Sequence, residues 1–264
     1  MNDNGIPLFD SLTHPTIDGS WLKQSSETNN HIKTVIDQMQ IYNVQWALAV
    51  GMEGIGGYNS ERYASFIFEH SDRIFPIAYF NEFSSGIGDI SSSLKRLKEM
   101  GYIGIKIHPR FSSLRLDKPI IVDIIQECNR LRLVVMICTY FYGQNEWNGI
   151  EQISSMLNKV KECKVIMVHA GAVKLLEYIE MARVFTNVLL DLSFTLCKYE
   201  RSSIDMDIEY AFHKFDRRIC VGSDSPEFSL RDLRRRFDHF SEGLQRIKAE
   251  NIAYRNLRQY ITEW

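Results

Sequence analysis

Eight short runs of apolar residues recur along the chain at intervals of about thirty residues, and several of them end in a chemically capable residue. Leu8–Leu12 leads into His14, Trp46–Val50 into Gly51, and Ile74–Phe80 into Asn81 and Glu82. Ile103–Ile107 carries Lys106 and reaches His108, Leu133–Ile137 leads into Cys138, and Val165–Val168 into His169. Val188–Leu192 carries Asp191 and ends at Ser193, and Ile219–Val221 leads to Asp224. The runs are rich in Ile, Val and Leu and alternate poorly, as parallel strands buried on both faces do.

Between the runs the apolar period changes to three or four. Thr28–Gln40 spaces Ile32, Val35, Ile36 and Met39 on one side. A second segment, capped by Asn59 or Ser60, extends to about Ser71. Ile87–Met100, Lys118–Arg130 and Ile150–Val160 show the same stripe. Each predicts an amphipathic helix lying against a sheet. Strand and helix alternating eight times predict a (β/α)8 TIM barrel occupying residues 1–264 as one domain, with right-handed crossovers. The polar residues that end the runs then converge on the C-terminal mouth, where this architecture does its chemistry.

The tail, Phe228–Tyr260, contains Ser229-x-x-Asp232, close to a capping box. Arg234, Arg235 and Arg236 follow, a run that reads as a solvated helix face. Asn251–Thr262 reads as a closing helix ahead of Trp264.

Composition narrows the function. The 264 residues match the roughly 250 of a plain barrel. A formal net charge of -2 gives no electrostatic footprint for nucleic acid. The expected partner is a small-molecule substrate or ligand, with neither nucleic acid nor membrane involved; self-association into a homo-oligomer stays open. Neither the dinucleotide fingerprint nor the Walker pattern occurs, so no nucleotide cofactor is expected. Five scattered cysteines and a start without a signal-peptide pattern predict free thiols in the cytoplasm.

Several residues carry chemistry. His14 can ligate a metal, shuttle a proton or only hydrogen-bond. Asp224, in the turn-forming GSDSP, is either a site carboxylate or a loop cap. Lys106 and His108 share strand parity and face the barrel interior, while Ile105 and Ile107 face the helices. Lys106 requires a partner when buried: either Asp10 in an ion pair across the barrel or a substrate carboxylate, with Arg110 near enough to help. Cys138 is a zinc ligand, a nucleophile or a packed thiol. Tyr140, Phe141, Tyr142 and Trp147 form an aromatic loop suited to walling a ligand or docking on a surface. Glu53 and Glu82 are reserve acids, and Tyr199 and Arg201 are weaker candidates.

The segments FDSLTHP, GYIGIKIHP, VIMVHAG, NVLLDLS, RICVGSDSP and NIAYRNLRQY, in this order, resemble the amidohydrolase superfamily. The resemblance is to its amidohydrolase-related branch, which includes aminocarboxymuconate-semialdehyde decarboxylase. It implies Asp224, His169 and Lys106 as catalytic residues. Their own chemistry makes His108, Arg110, Tyr140, Tyr142 and Trp147 the candidate substrate-binding wall. The metal shell it implies falls on His14, Asp224, Cys138 and His169. Two positions depart from the branch: Leu12 stands where the first histidine of Asp-x-His-x-His is usual, and Cys138 where the fifth strand usually ends in histidine. The resemblance therefore implies at most one divalent metal ion, zinc foremost, held weakly or not at all. The activity it implies is hydrolysis of a C–N, ester or lactone bond in a small, carboxylate-bearing molecule. A non-oxidative decarboxylase and an inactive ligand- or partner-binding barrel are the alternatives.

Overall fold

The computed structural model describes residues 5–22, 30–83, 86–112, 114–140 and 149–263. Eight strands form one parallel sheet in chain order: β1 (Leu8–Thr13), β2 (Val44–Val50), β3 (Ile74–Phe80), β4 (Gly104–Ile107), β5 (Val134–Cys138), β6 (Val165–Val168), β7 (Val188–Asp191) and β8 (Ile219–Cys220). The apolar runs coincide with them; only β2 begins earlier, at Val44 rather than Trp46. The helices are α1 (Ile32–Ile41), α2 (Ser60–His70), α3 (Ile87–Glu99), α4 (Pro109–Ser112), α5 (Pro119–Arg130), α6 (Ile150–Lys159), α7 (Leu175–Val184), α8 (Thr195–Lys198), α9 (Ile204–Lys214), α10 (Leu230–Ser241), α11 (Arg246–Glu250) and α12 (Asn256–Thr262). A π-helical turn, Asn251–Arg255, precedes α12, so the closing segment is not one uninterrupted α-helix.

The parity of each strand divides the core in two. Ile105, Ile107, Val135, Ile137, Val165 and Met167 face outward and pack with the helix stripes. Leu12, Leu48, Val50, Ile77, Val134, Met136, Ile166, Val168 and Leu189 fill the barrel interior. Leu12 is fully buried in that inner cluster. A leucine at this position therefore serves packing.

The seam between β8 and β1 is closed mostly beyond the two residues of β8. Ser11 N donates to Val221 O at 3.0 Å, Asp224 N to Leu12 O at 2.8 Å, and His14 N to Ser225 O at 2.9 Å. Side chains reinforce it in the interior. Ser223 Oγ donates to Asp10 Oδ2 at 2.6 Å, and Ser223 N to Asp10 Oδ1 at 2.8 Å. Ser11 Oγ donates to Asp191 Oδ1 at 2.5 Å. Asp10 is thus held by Ser223 beyond β8, and of the two alternatives for Lys106 the ion pair with Asp10 does not form. The register irregularity between Asp10 and Thr13 turns the Asp10 carboxylate toward the seam. Burial pushes Asp10 up to about 7 despite its hydrogen bonds from Ser223 and Leu12.

The arginine run also departs from expectation. Arg236 is only 2% exposed: it donates to Leu196 O and pairs with Asp205. Arg234 reaches Tyr42 O and Ile6 O, and Arg235 grips Glu200 with two bonds of 2.6 and 2.7 Å. The run binds α10 to its neighbours, because guanidinium forks can satisfy loop carbonyls inside a helix–helix groove. The Ser229–Asp232 capping box is formed as expected.

Candidate active site at the barrel mouth

Neighbouring strands end at the same level, so the residues that follow them meet. The first two are held by the seam. His14 Nδ1 donates to Val50 O at 2.8 Å. Nε2 faces Asp224 Oδ1 at 3.3 Å. Asn30 Nδ2 donates to His14 O, and Ser225 Oγ bonds Asn30 Oδ1, which ties the His14 and Asp224 loops together. Trp21 stacks on His14 at 4.9 Å between ring centroids. Asp224 itself has φ of 57°, in the left-handed region that a non-glycine residue enters only under constraint.

The opposite wall comes from β4, β5 and β6. Lys106 and His108 point inward, as their parity predicts, with exposures of 2% and 5%. Lys106 makes no hydrogen bond or ion pair with a described residue, yet its charge acts on His14, His169 and Asp224. The charges of His108 and His169 act on the Cys138 sulfur. His169 Nδ1 donates to Ser193 O at 2.9 Å, which leaves Nε2 for the site. Its φ of 69°, followed by 44° at Ala170, marks a second strained turn at the mouth.

Electrostatics separate the two walls. Burial, and then the Lys106 charge, push His14 below its ordinary range. Burial raises Asp224, but His14 and the His169 and Lys106 cations outweigh it and hold the carboxyl below the usual range. Burial opposes the charged form of His169, but Asp224 and Cys138 raise it to about 9. Burial likewise raises the Cys138 thiol, but the two imidazoles bring it well below normal. The mouth therefore holds acceptors on the β1/β8 side and cations on the β4/β6 side.

Arg110 lies over Phe111 at 4.9 Å and Tyr140 at 5.6 Å. Tyr140 contacts His169 and Phe194, and Phe194 contacts Phe228. This aromatic wall includes Phe194, which sequence reading missed: nothing local marks it, and its φ of 62° comes from the turn after β7. Phe141, Tyr142 and Trp147 lie outside the described residues, as does Trp264. Glu53 is exposed and accepts from Asn81, Glu82 is exposed, and neither joins the cluster.

The donor set can be tested against a metal. His14 and His169 present nitrogen in the manner of metal ligands, with the other ring nitrogen fixed on a carbonyl. The donors nevertheless form two pairs, His14 with Asp224 and Cys138 with His169, and the Lys106 cation acts on both sides. Among the described residues no three His, Cys, Asp or Glu side chains gather into a shell.

The sequence profile of the amidohydrolase family matches residues 90–245, more than half of the chain, and the chain belongs to that family. No curated protein matches it. Among solved structures, an uncharacterized TIM-barrel protein from Bordetella bronchiseptica superposes with a TM-score of 0.80 at 14% identity, covering 97% of this chain and 98% of that one. A probable 2-pyrone-4,6-dicarboxylic acid hydrolase from Acinetobacter baumannii, with citric acid bound, gives 0.69 at 16% identity over 96% and 98%. A 2,6-dihydroxybenzoate decarboxylase from Rhizobium gives 0.70 at 10% identity over 97% and 98%. Identities this low establish a common fold, shared by hydrolases and decarboxylases alike. Metal dependence is typical of the family. No helix among the described residues is long and apolar enough to cross a membrane.

Proposed function

We propose that the chain hydrolyses a carbonyl bond, in a lactone, ester or C–N linkage, of a small carboxylate-bearing molecule. The supporting observation is the pairing of His14 Nε2 with Asp224 Oδ1, 3.3 Å apart, opposite the Lys106 and His169 cations. The Asp224 carboxylate of this pair takes a proton from a water held between it and the substrate. The water oxygen adds to the carbonyl carbon. Negative charge then develops on the carbonyl oxygen, where Lys106 stabilises it. His169 protonates the leaving oxygen or nitrogen. Arg110, with Tyr140 and Phe194 as the wall, suits a planar anionic group.

A second reading is favoured by the protonated state of His169. Non-oxidative decarboxylation needs a cation against the departing carboxylate and a proton donor for the carbon it leaves. Lys106 and His169 supply both. Of the neighbours in fold, one is a probable hydrolase and one a decarboxylase, so the fold serves both reactions.

One experiment separates them. The protein is incubated with a panel of carboxylate-bearing lactones, esters, cyclic amides and hydroxybenzoates, while proton release and carbon dioxide are followed together. Hydrolysis of a lactone or ester releases acid, hydrolysis of a cyclic amide opens the ring to an amino acid without net acid, and neither gives carbon dioxide, which decarboxylation alone releases. Saturable binding of panel members with no turnover of any refutes both and makes the chain a ligand-binding barrel.

A further inference from the structure

We propose that Lys106 is an imine-forming amine: with the Tyr79 hydroxyl beside it, it binds the ketone of a 3-oxo acid covalently, and the imine then releases the carboxylate as carbon dioxide. This deepens the decarboxylase reading and rests on it.

The juxtaposition is set by strand register. Lys106 on β4 pairs with Tyr79 on β3 and with Met136 on β5. Paired residues of parallel strands point to the same face. Ala78 and Phe80 pack outward with the helices while Ile77 packs inside the barrel, so Tyr79 shares the inward parity of Lys106. Two residues earlier on the same three strands stand Ile77, Gly104 and Val134, again in register. The amine therefore rises above an apolar floor, between Met136 and Tyr79.

Lys106 is 2% exposed and has no hydrogen bond or ion pair among the described residues. The inward carboxylates are engaged elsewhere: Asp10 with Ser223, Asp191 with Ser11 and Ser193, and Asp224 with His14. A structural ion pair would account for a buried lysine, and none is formed. An amine shielded from water and from counter-ions is the usual setting for a lysine that attacks a carbonyl carbon. No other described lysine is buried; Lys98 caps Arg132 O and Lys174 pairs with Glu177 at the surface. The half-buried Tyr79 likewise gives its hydroxyl to no described residue. A 3-oxo acid is the class that such an amine can break. Its carboxylate is drawn to the cationic mouth, where Arg110 lies over Tyr140 at 5.6 Å. Its ketone stands one methylene away, where an iminium nitrogen can accept the electrons of the C–C bond.

In the first step Lys106 releases a proton to solvent, and its lone pair forms a C–N bond with the ketone carbon. The carbonyl electrons move onto oxygen, which takes the Tyr79 hydroxyl proton. The phenolate is restored by a proton from the new C–N nitrogen. The hydroxyl then leaves as water with one proton from solvent, and a protonated imine remains. In the second step the bond to the carboxylate breaks, carbon dioxide departs and the electron pair reaches nitrogen as an enamine. The enamine carbon takes the proton that the decarboxylase reading assigns to His169, which solvent replaces. Water hydrolyses the imine to the product ketone and the Lys106 ammonium. The net reaction consumes one proton, returns the water it released and needs no redox partner.

The test uses the folded full chain with acetoacetate and benzoylacetate as probes. Sodium borohydride added with either probe, followed by peptide mapping, should place a reduced secondary amine on Lys106 at least tenfold faster than on any other lysine. Tyr79→Phe should slow this trapping about tenfold, and Lys106→Arg, with its melting point as folding control, should abolish it together with carbon dioxide release. A second measurement needs no variant: the ketone oxygen of 18O-labelled probe should be lost to water during turnover, above the exchange in buffer. Trapping at Lys106 no faster than at the exposed lysines overturns the inference. Carbon dioxide released with the 18O retained, or by Lys106→Arg at the wild-type rate, overturns it too, while the decarboxylase reading stands. A Lys106 adduct without carbon dioxide from either probe retains the imine and overturns the decarboxylase reading. Neither adduct nor carbon dioxide overturns both.

Discussion

Replacing Gly222 with alanine tests the claim that the β1/β8 seam positions the site. A Cβ at this residue would stand 2.4 Å from Ser11 Oγ, 2.9 Å from Leu12 N and 3.0 Å from Ser193 Cβ. Two of those neighbours cannot retreat freely, because Leu12 N is backbone and Ser11 Oγ donates the 2.5 Å bond to Asp191. Overpacking of this kind costs about 1–3 kcal/mol. If Ser11 rotates away, buried Asp191 loses a donor, at a further ~1–3 kcal/mol. A total of about 3 kcal/mol corresponds to a fall in Tm of roughly 6–12 °C for a domain of this size. The same displacement reaches the chemistry, because Asp224 N bonds Leu12 O and His14 N bonds Ser225 O just above. A shift of ~1 Å there costs about 10²-fold in turnover. Urea unfolding followed by tryptophan fluorescence gives the stability. Gly88→Ala is the control: it lies in α3 with nothing within 4 Å, and should be neutral or stabilising by about 0.5–1 kcal/mol. A Gly222→Ala protein within 0.5 kcal/mol of wild type, at unchanged urea dependence, would refute the reasoning.

Four further outcomes are expected. Asp224→Asn should lower kcat by ~10²–10⁴-fold with an unchanged melt, since the amide keeps the shape but cannot take a proton; turnover near wild type removes Asp224 as the base. Lys106→Met should abolish turnover yet raise Tm, because it replaces a buried ammonium lacking a hydrogen-bonding partner among the described residues with an apolar chain; a lowered Tm contradicts this. Asp10, raised to about 7 by burial, holds in the folded state a proton that the unfolded chain releases from about pH 4. Its contribution is therefore full at low pH and is lost as pH rises through about 7, with a slope of up to ~1.4 kcal/mol per pH unit. Asp10→Asn should flatten the stability profile between pH 5 and 7, and an unaltered slope assigns the titration elsewhere. Dialysis against a chelator should leave both Tm and turnover unchanged, and stoichiometric zinc surviving it, measured by elemental analysis, would show that the two donor pairs close into a shell.

The strands and most of the helices were legible in the chain because each is a local matter of period. Runs of branched apolar residues have no other stable home than a sheet covered on both faces. The stripes in α3, α5 and α6 recur at the helical period. Parity within one strand also placed Lys106 and His108 inside and Ile105 and Ile107 outside without any tertiary information. The order of the strand ends sufficed to bring His14, His169 and Asp224 to one mouth, since in a parallel barrel every strand ends at the same face.

What the sequence left open was which residues touch. Asp10 was a reasonable partner for Lys106 by polarity alone, but the irregular register of β1 turns its carboxylate toward Ser223. Arg234–Arg236 had the composition of a solvated face; Arg235 stays half exposed in its pair with Glu200, but carbonyls and a carboxylate of the neighbouring elements receive Arg234 and Arg236. Cys138 was one apolar-flanked thiol among five until the β5/β6 register set His169 beside it. Phe194 had no signal at all until a left-handed turn swung its ring over Tyr140. Period and parity are properties of neighbours along the chain, so the sequence alone determines them. Hydrogen bonds and charge pairs join residues up to 228 positions apart, and only the closing of the barrel decides those.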